Sequence, residues 1–174
     1  GLSSIVFEKS NTTGGAANMG MGPLGIGTKI QKRQFTEITK DEAYDMHMKY
    51  THYQVDADLV QTYFEKSADT IEWLEDMGVE FAGAFRYFAE SEATWHIVKP
   101  ENGVIGPRAA GPMVRILPEK AKELGSEIYL ATPEKERIME DGRWVGVKAV
   151  AKGGQEIEAR AKGVSVGSAG CSTT

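Results

Sequence analysis

The stretch 5–22, IVFEKSNTTGGAANMGMG, sets what this chain can fold into. Ile5, Val6 and Phe7 form an apolar, β-prone run that reads as a short buried strand. Glu8 follows at that strand's carboxyl end, where open α/β sheets gather their ligands. A carboxylate there can accept two hydrogen bonds from a ribose diol, although spacing alone favours an exposed strand-end acid. Gly14 and Gly15 lack Cβ, so their backbone can approach a bulky ligand closely.

The rest of the chain reads as alternating helices and strands. Residues 29–38, KIQKRQFTEI, read as a basic surface connection. Thr39-Lys-Asp-Glu42 is a capping-box pattern that opens a helix to about Tyr53, with Ala43, Met46, Tyr50 and Tyr53 on one face. Asp56 opens a longer helix to about Met77. Its apolar residues run from Leu59 through Phe64 and Ile71 to Leu74, and Gly78 stops it. Both helices read as structural support, and a short strand follows at 79–81.

Residues 82–108 read as a long irregular loop holding Phe85, Tyr87, Phe88 and Trp95. Loops of this length are commonly functional, and the aromatic density argues against disorder. The alternative is a loop whose rings cover the core. A helix then runs from Gly111 or Pro112 to about Leu124, with Val114, Leu117, Ala121 and Leu124 as its apolar face and Gly125 as its stop. Pro118 either bends this helix or restarts it. Residues 127–132 read as a strand. Residues 137–140, the type I′ signal Asp141-Gly142, 144–150, the Gly153-Gly154 turn and 156–160 read as an antiparallel meander. Residues 163–170 read as a returning strand.

Several functions are disfavoured. The net charge of −5 is wrong for a nucleic-acid surface. No apolar run approaches the roughly 20 residues of a membrane span. The single cysteine, Cys171, allows no internal disulfide, which fits a reducing cytoplasm and is compatible with a periplasm. His47 and His52 are five apart and do not share a helix face, so no metal site is expected. Gly20-Met-Gly-Pro-Leu-Gly25 matches G-x-G-x-x-G in form. No strand directly precedes it, and Pro23 removes an N–H that a phosphate cradle would use. It reads as a loop rather than a phosphate turn.

The opening stretch resembles the second strand and following loop of the FAD domain in the fumarate reductase/succinate dehydrogenase flavoprotein family, above all its soluble fumarate-reductase-like members. Glu8-Lys9, Gly14-Gly15 and the small-residue run 16–22 carry the resemblance, which extends more loosely over nearly all of the chain. It covers only the first part of such a flavoprotein. The resemblance implies an α/β fold: a partial Rossmann-like FAD-binding domain, with a parallel sheet, helices and a small antiparallel meander. Residues 1–174 are then expected to be one partial domain without the first βα crossover, the capping domain and the C-terminal segment. Only seven residues precede Glu8, whereas the family's glycine fingerprint lies about 20 residues before the acid.

The resemblance also implies FAD as cofactor. Glu8 would bind the adenosine ribose. The loop of Lys9, Gly14, Gly15, Ala16, Ala17 and Gly22 would reach the pyrophosphate and flavin. Thr132 would lie near the adenine, and Ser168 and Gly170 would flank the cofactor from the returning strand. FAD binding is expected to be weak or lost, because the helix N-terminus that holds the pyrophosphate is missing. The implied reaction is hydride transfer between FAD and an activated C=C bond, such as that of fumarate, a dicarboxylate. The implied partners are an electron donor or a second copy of the chain. No catalytic residue is assigned, since the family's lie in later segments. Arg86, Arg108 and His96 are the nearby candidates for anion contacts, and for each a structural role is the favoured reading. Two alternatives stay open: a related flavoprotein of the urocanate reductase or 3-ketosteroid dehydrogenase type, and a non-catalytic fragment that binds no flavin.

Overall fold

The structure, a computed structural model, describes residues 2–36 and 38–167. Its elements in chain order are β1 (Ile5–Phe7), α1 (Lys29–Arg33), α2 (Lys40–Tyr50), α3 (Ala57–Asp76), β2 (Phe81–Phe85), β3 (Trp95–Val98) and α4 (Gly111–Glu123). Then come β4 (Glu127–Tyr129), β5 (Glu134–Glu140), β6 (Arg143–Val150) and β7 (Glu156–Arg160). The chain divides into two compact units: Gly1–Thr13 with Ala121–Thr174, and Gly14–Lys120.

In the first unit β1 and β4 pair in parallel, with Val6 opposite Ile128. Phe7 packs on Tyr129 with ring centroids 5.6 Å apart. β1 is not the buried strand its composition predicts: Ile5 and Val6 are exposed, because among the described residues β1 pairs on one edge only. The meander forms as expected, in the order β5-β6-β7. Asp141 and Gly142 take φ of 47° and 74°, the two positive values that a type I′ turn demands. β5 starts earlier than predicted, at Glu134. Residues 163–167 form no strand, and 168–170 lie outside the described residues.

In the second unit α3 is the spine. Its N-cap Asp56 accepts the Leu59 N–H at 3.0 Å, and Gly78 takes φ 95° just past its end. Phe64, Ile71 and Leu74 project from α3 into three separate apolar clusters. Ile71 packs with Ile30, Ala84 and Ala93; Leu74 with Val79, Val98 and Ala110; Phe64 with Ile26 and Ala43.

Three expectations change here. The segment 29–38 is not a plain surface connection: α1 lies within it, and Ile30 and Gln31 are buried. Thr28-x-x-Gln31 is a complete capping box, so the local signal for a helix outweighs the charges. α2 does carry its Thr39–Glu42 box, but it buries Ala43 and Met48 and leaves Met46, Tyr50 and Tyr53 exposed. His47 meets Phe64 edge-on at 5.8 Å, which turns the residue 43–47–48 side toward α3. The chain also leaves the helix before Tyr53: His52 and Tyr53 both have positive φ. Finally, 82–108 is not irregular throughout. β2 and β3 form an antiparallel hairpin with a register shift between Phe81 and Gly83. α4 passes through Pro118 without restarting. Among the described residues no helix is long and apolar enough to cross a membrane.

Replacing Asp56 by Ala removes the side-chain acceptor at the start of α3. The urea midpoint is expected to fall by the equivalent of about 1 kcal/mol, with an unchanged slope.

Candidate functional site

The ends of β1 and β4 converge. The Glu8 N–H donates to the Tyr129 carbonyl at 2.9 Å, and the Thr132 N–H donates to the Glu8 carbonyl at 2.9 Å. The sequence-predicted pair Glu8 and Thr132 is therefore joined directly. The Glu8 carboxylate is half-buried, and its Oε1 accepts the Ser10 N–H at 2.7 Å. That bond turns the chain away from the strand and holds the carboxylate at the strand end. Thr132 is buried, and its hydroxyl donates to the Leu130 carbonyl at 2.8 Å. With that hydroxyl committed, backbone groups are what this corner offers a planar base. Lys9 is exposed.

The two glycines of the loop in the second unit behave differently. Gly14 has φ 100°, and a Cβ there would collide with Val114 Cγ1 and approach Asn18 Nδ2 to 2.6 Å. Its missing side chain serves packing within the chain. Gly15 has φ 44°, and a Cβ would meet nothing within 4 Å, so its backbone remains open to approach. Ala16 and Ala17 are exposed in a short 3₁₀ segment, Gly15–Met19.

Residues 20–25 run alongside β3 as an added strand. The Val98 N–H donates to the Met21 carbonyl, the His96 N–H to the Pro23 carbonyl and the Gly25 N–H to the Thr94 carbonyl, each at 2.9 Å. This pairing uses the carbonyls of Met21 and Pro23, so the N–H that proline lacks is not missed. Gly22 has φ 156°, and a Cβ on it would collide with the His96 carbonyl oxygen. The G-x-G-x-x-G match thus reflects backbone packing on β3. Trp95 seals the arrangement, donating its indole N–H to the Gly22 carbonyl at 3.0 Å.

Beneath this lies a polar network that the sequence reading missed. His96 is fully buried. Its Nδ1 is 3.1 Å from the Thr94 carbonyl, which only accepts, so Nδ1 carries the proton. Nε2 then accepts the Thr28 hydroxyl at 2.7 Å. Thr28 in turn accepts the Gln31 N–H at 3.1 Å, and the Gln31 amide donates to the Ala93 carbonyl at 2.8 Å. Burial pushes the His96 pKa down, opposed by the bond to Thr94. With no exposure and both ring nitrogens engaged, His96 is not an anion contact. The Thr28-x-x-Gln31 box was the one local signal for this network.

Arg86 donates to the Ala89 carbonyl at 3.2 Å within its own loop, while Arg108 is exposed with φ 72°. Ser168, Gly170 and Cys171 lie outside the described residues. Among the described residues no group of three or more His, Cys, Asp or Glu is placed to hold a metal.

Known proteins are similar to this chain in sequence and in fold. The sequence profile of the FAD binding domain matches residues 1–173. A vinyl phenol reductase of Lactiplantibacillus plantarum is 30% identical over 132 residues, covering 76% of this chain and 25% of that protein. An NADH:fumarate oxidoreductase of Klebsiella pneumoniae is 26% identical over 176 residues, covering 99% of this chain and 18% of that protein. The chain thus spans a quarter or less of the length of these two relatives. Among solved structures, an open conformation of a flavocytochrome c3 fumarate reductase superposes with a TM-score of 0.77 at 24% identity, over 91% of this chain and 28% of that one. A 3-ketosteroid-Δ4-(5α)-dehydrogenase of Rhodococcus jostii gives 0.72 at 23% identity, over 91% and 38%. These two structures share the fold.

Two outcomes follow from the packing. Gly22→Ala is expected to destabilise by about 3 kcal/mol or more, because the clash is with backbone. Gly15→Ala, strained only in its backbone, is expected to cost about 1 kcal/mol; chemical denaturation compares the two. For His96 the folded pKa lies below the unfolded value near 6.5. The unfolded chain therefore binds more protons between those two values, and stability falls as pH drops below about 6.5. Thermal midpoints measured from pH 7.5 to 5 are expected to decline, and His96→Leu is expected to flatten that slope.

Proposed function

Because this chain belongs to the FAD binding domain family, matched over residues 1–173, we propose that it is the FAD-binding portion of an oxidoreductase acting on an activated C=C bond. The observation that carries this reading is the meeting of Glu8 and Thr132 at the carboxyl ends of two parallel strands. The residues present suit the cofactor. The Glu8 carboxylate has the chemistry to accept from a ribose diol, and, taken by itself, Gly15 leaves its backbone open because a Cβ there would meet nothing within 4 Å.

FAD, when bound, supplies the two-electron carrier that exchanges a hydride with the substrate. The chain's own residues bind and orient. Glu8 accepts the ribose hydroxyls, with its carboxylate held in place by the Ser10 N–H. The backbone at Thr132 borders the adenine. Lys9 offers positive charge on the same unit. Gly15, Ala16 and Ala17 are exposed and would offer the cofactor their loop backbone, and Gly14 and Gly22 fix their own segments by close packing within the second unit. Ser168 and Gly170 complete the set on sequence grounds.

The substrate names of the two relatives, vinyl phenol and fumarate, each denote a C=C bond conjugated to an aryl ring or to carboxylates. That shared chemistry defines the substrate class proposed for the full-length protein.

The test is FAD affinity in the full-length protein, read by flavin fluorescence. Glu8→Gln keeps the shape and removes the charge that strengthens the ribose hydrogen bonds. Affinity is expected to fall roughly tenfold or more. A full-length protein purified without flavin, and unable to take it up, would refute the reading.

A further inference from the structure

We propose that Asn102 is a site of spontaneous covalent modification: its side chain cyclises onto the Gly103 nitrogen and then opens to aspartate and isoaspartate. The chain holds three asparagines, Asn11, Asn18 and Asn102. Thr12 follows the first and Met19 the second. Asn102 alone is followed by glycine, whose nitrogen has no side chain beside it to hinder attack. The inference stands apart from the flavin reading and needs no cofactor.

The connection from β3 to α4 presents the reacting atoms. Asn102 and Gly103 are both exposed, so water reaches them. Gly103 has φ 71°, and a Cβ there would meet nothing within 4 Å, so no other part of this chain stands against ring closure. The Val104 N–H donates to Asn102 Oδ1 at 3.0 Å. That oxygen is where negative charge gathers as the nitrogen attacks, and a donor already aimed at it stabilises the developing charge. One bond opposes the reaction: the Gly103 N–H donates to the Pro100 carbonyl at 3.1 Å. In an exposed turn such a bond opens to water at little cost. Asn18 is placed differently, with its Nδ2 donating to the Gly15 carbonyl at 3.4 Å inside the 3₁₀ segment.

A solvent base takes the Gly103 amide proton. The nitrogen forms a bond to Asn102 Cγ, the Cγ–Nδ2 bond breaks, and ammonia leaves with a proton supplied by water. Water then opens either carbonyl bond of the cyclic imide. Opening at Cγ gives aspartate. Opening at the main-chain carbonyl gives isoaspartate, whose backbone runs through Cβ and Cγ. No oxidant or reductant takes part. The products alter a loop that closes on the glycine segment at both ends: the Val98 N–H donates to the Met21 carbonyl at 2.9 Å, and the Ala110 N–H to the Gly20 carbonyl at 3.1 Å. Isoaspartate lengthens the backbone of that closed loop. Either product sets a new negative charge beside Glu101, whose carboxylate pairs with Arg115 of α4.

The experiment ages the full-length protein in mildly alkaline buffer and follows each asparagine-bearing peptide by mass. The peptide with Asn102 is expected to gain about one mass unit roughly tenfold faster than those with Asn11 and Asn18, and to accept label from an isoaspartyl methyltransferase. Its rate is expected to rise about tenfold per pH unit, as removal of a weakly acidic proton by base requires. Gly103→Ala is expected to slow conversion about tenfold by crowding the nitrogen. Asn102→Gln, whose longer side chain closes a less favoured ring, is expected to abolish it over the same period. Native protein is expected to convert within about tenfold of the rate in urea. Conversion in urea with none in the native protein overturns the proposal, because the turn is then held closed. Faster native conversion at Asn11 or Asn18 also overturns it, as does an unchanged rate in Gly103→Ala.

Discussion

The backbone contact between Gly22 and β3 governs the second unit. Two chain segments approach there until no Cβ fits between them. The approach lets the carbonyls of Met21 and Pro23 accept from β3, which sets a third extended segment beside the two-stranded hairpin. It also places Gly25 against the His96 ring and Ile71, where another Cβ would come within 2.9 Å of both. The glycines at 22 and 25 are thus explained by what they touch inside the chain.

That segment is held from its other end as well. The Ile26 N–H donates to Ser67 Oγ at 3.0 Å, and Ser67 in turn donates to the Phe64 carbonyl of α3 at 2.8 Å. One loop is therefore fixed to β3 by its backbone and to α3 by a buried serine. His96, Thr28 and Gln31 fill the space between with hydrogen bonds among themselves. No buried side-chain polar atom among the described residues lacks a partner, so this polar interior avoids the usual desolvation cost. The network gives the loop a defined position instead of a merely buried one.

The sequence made the local decisions legible. Asp56 and Gly78 bound α3, Thr39 and Glu42 start α2, and Asp141-Gly142 turns the meander, because each signal acts within a few residues. The Glu8–Thr132 corner was legible in part: the strand-end acid came from local pattern, and its partner from family resemblance. What stayed hidden depends on distant partners. Nothing near Trp95 announces that its indole will bond a carbonyl 73 positions away. The exposed side of α2 could not be chosen without knowing where Phe64 would stand. The Thr28 box was within reach of local reading, but a run of charges beside it read more loudly.

The glycine segment and the hairpin tip of the second unit are held by different kinds of contact. Around the glycine segment the determining contacts are backbone to backbone, and a glycine that must clear a carbonyl oxygen cannot be exchanged for anything larger. At the hairpin tip the Tyr87 and Phe88 rings stand exposed on a loop pinned by Ser91, while Trp95 is tied back to the Gly22 carbonyl. Substitution is therefore costly on one side and cheap on the other. Tyr87 and Phe88 can be exchanged without disturbing the packing that shapes the glycine segment, whereas Trp95 cannot, because its indole N–H holds the Gly22 carbonyl.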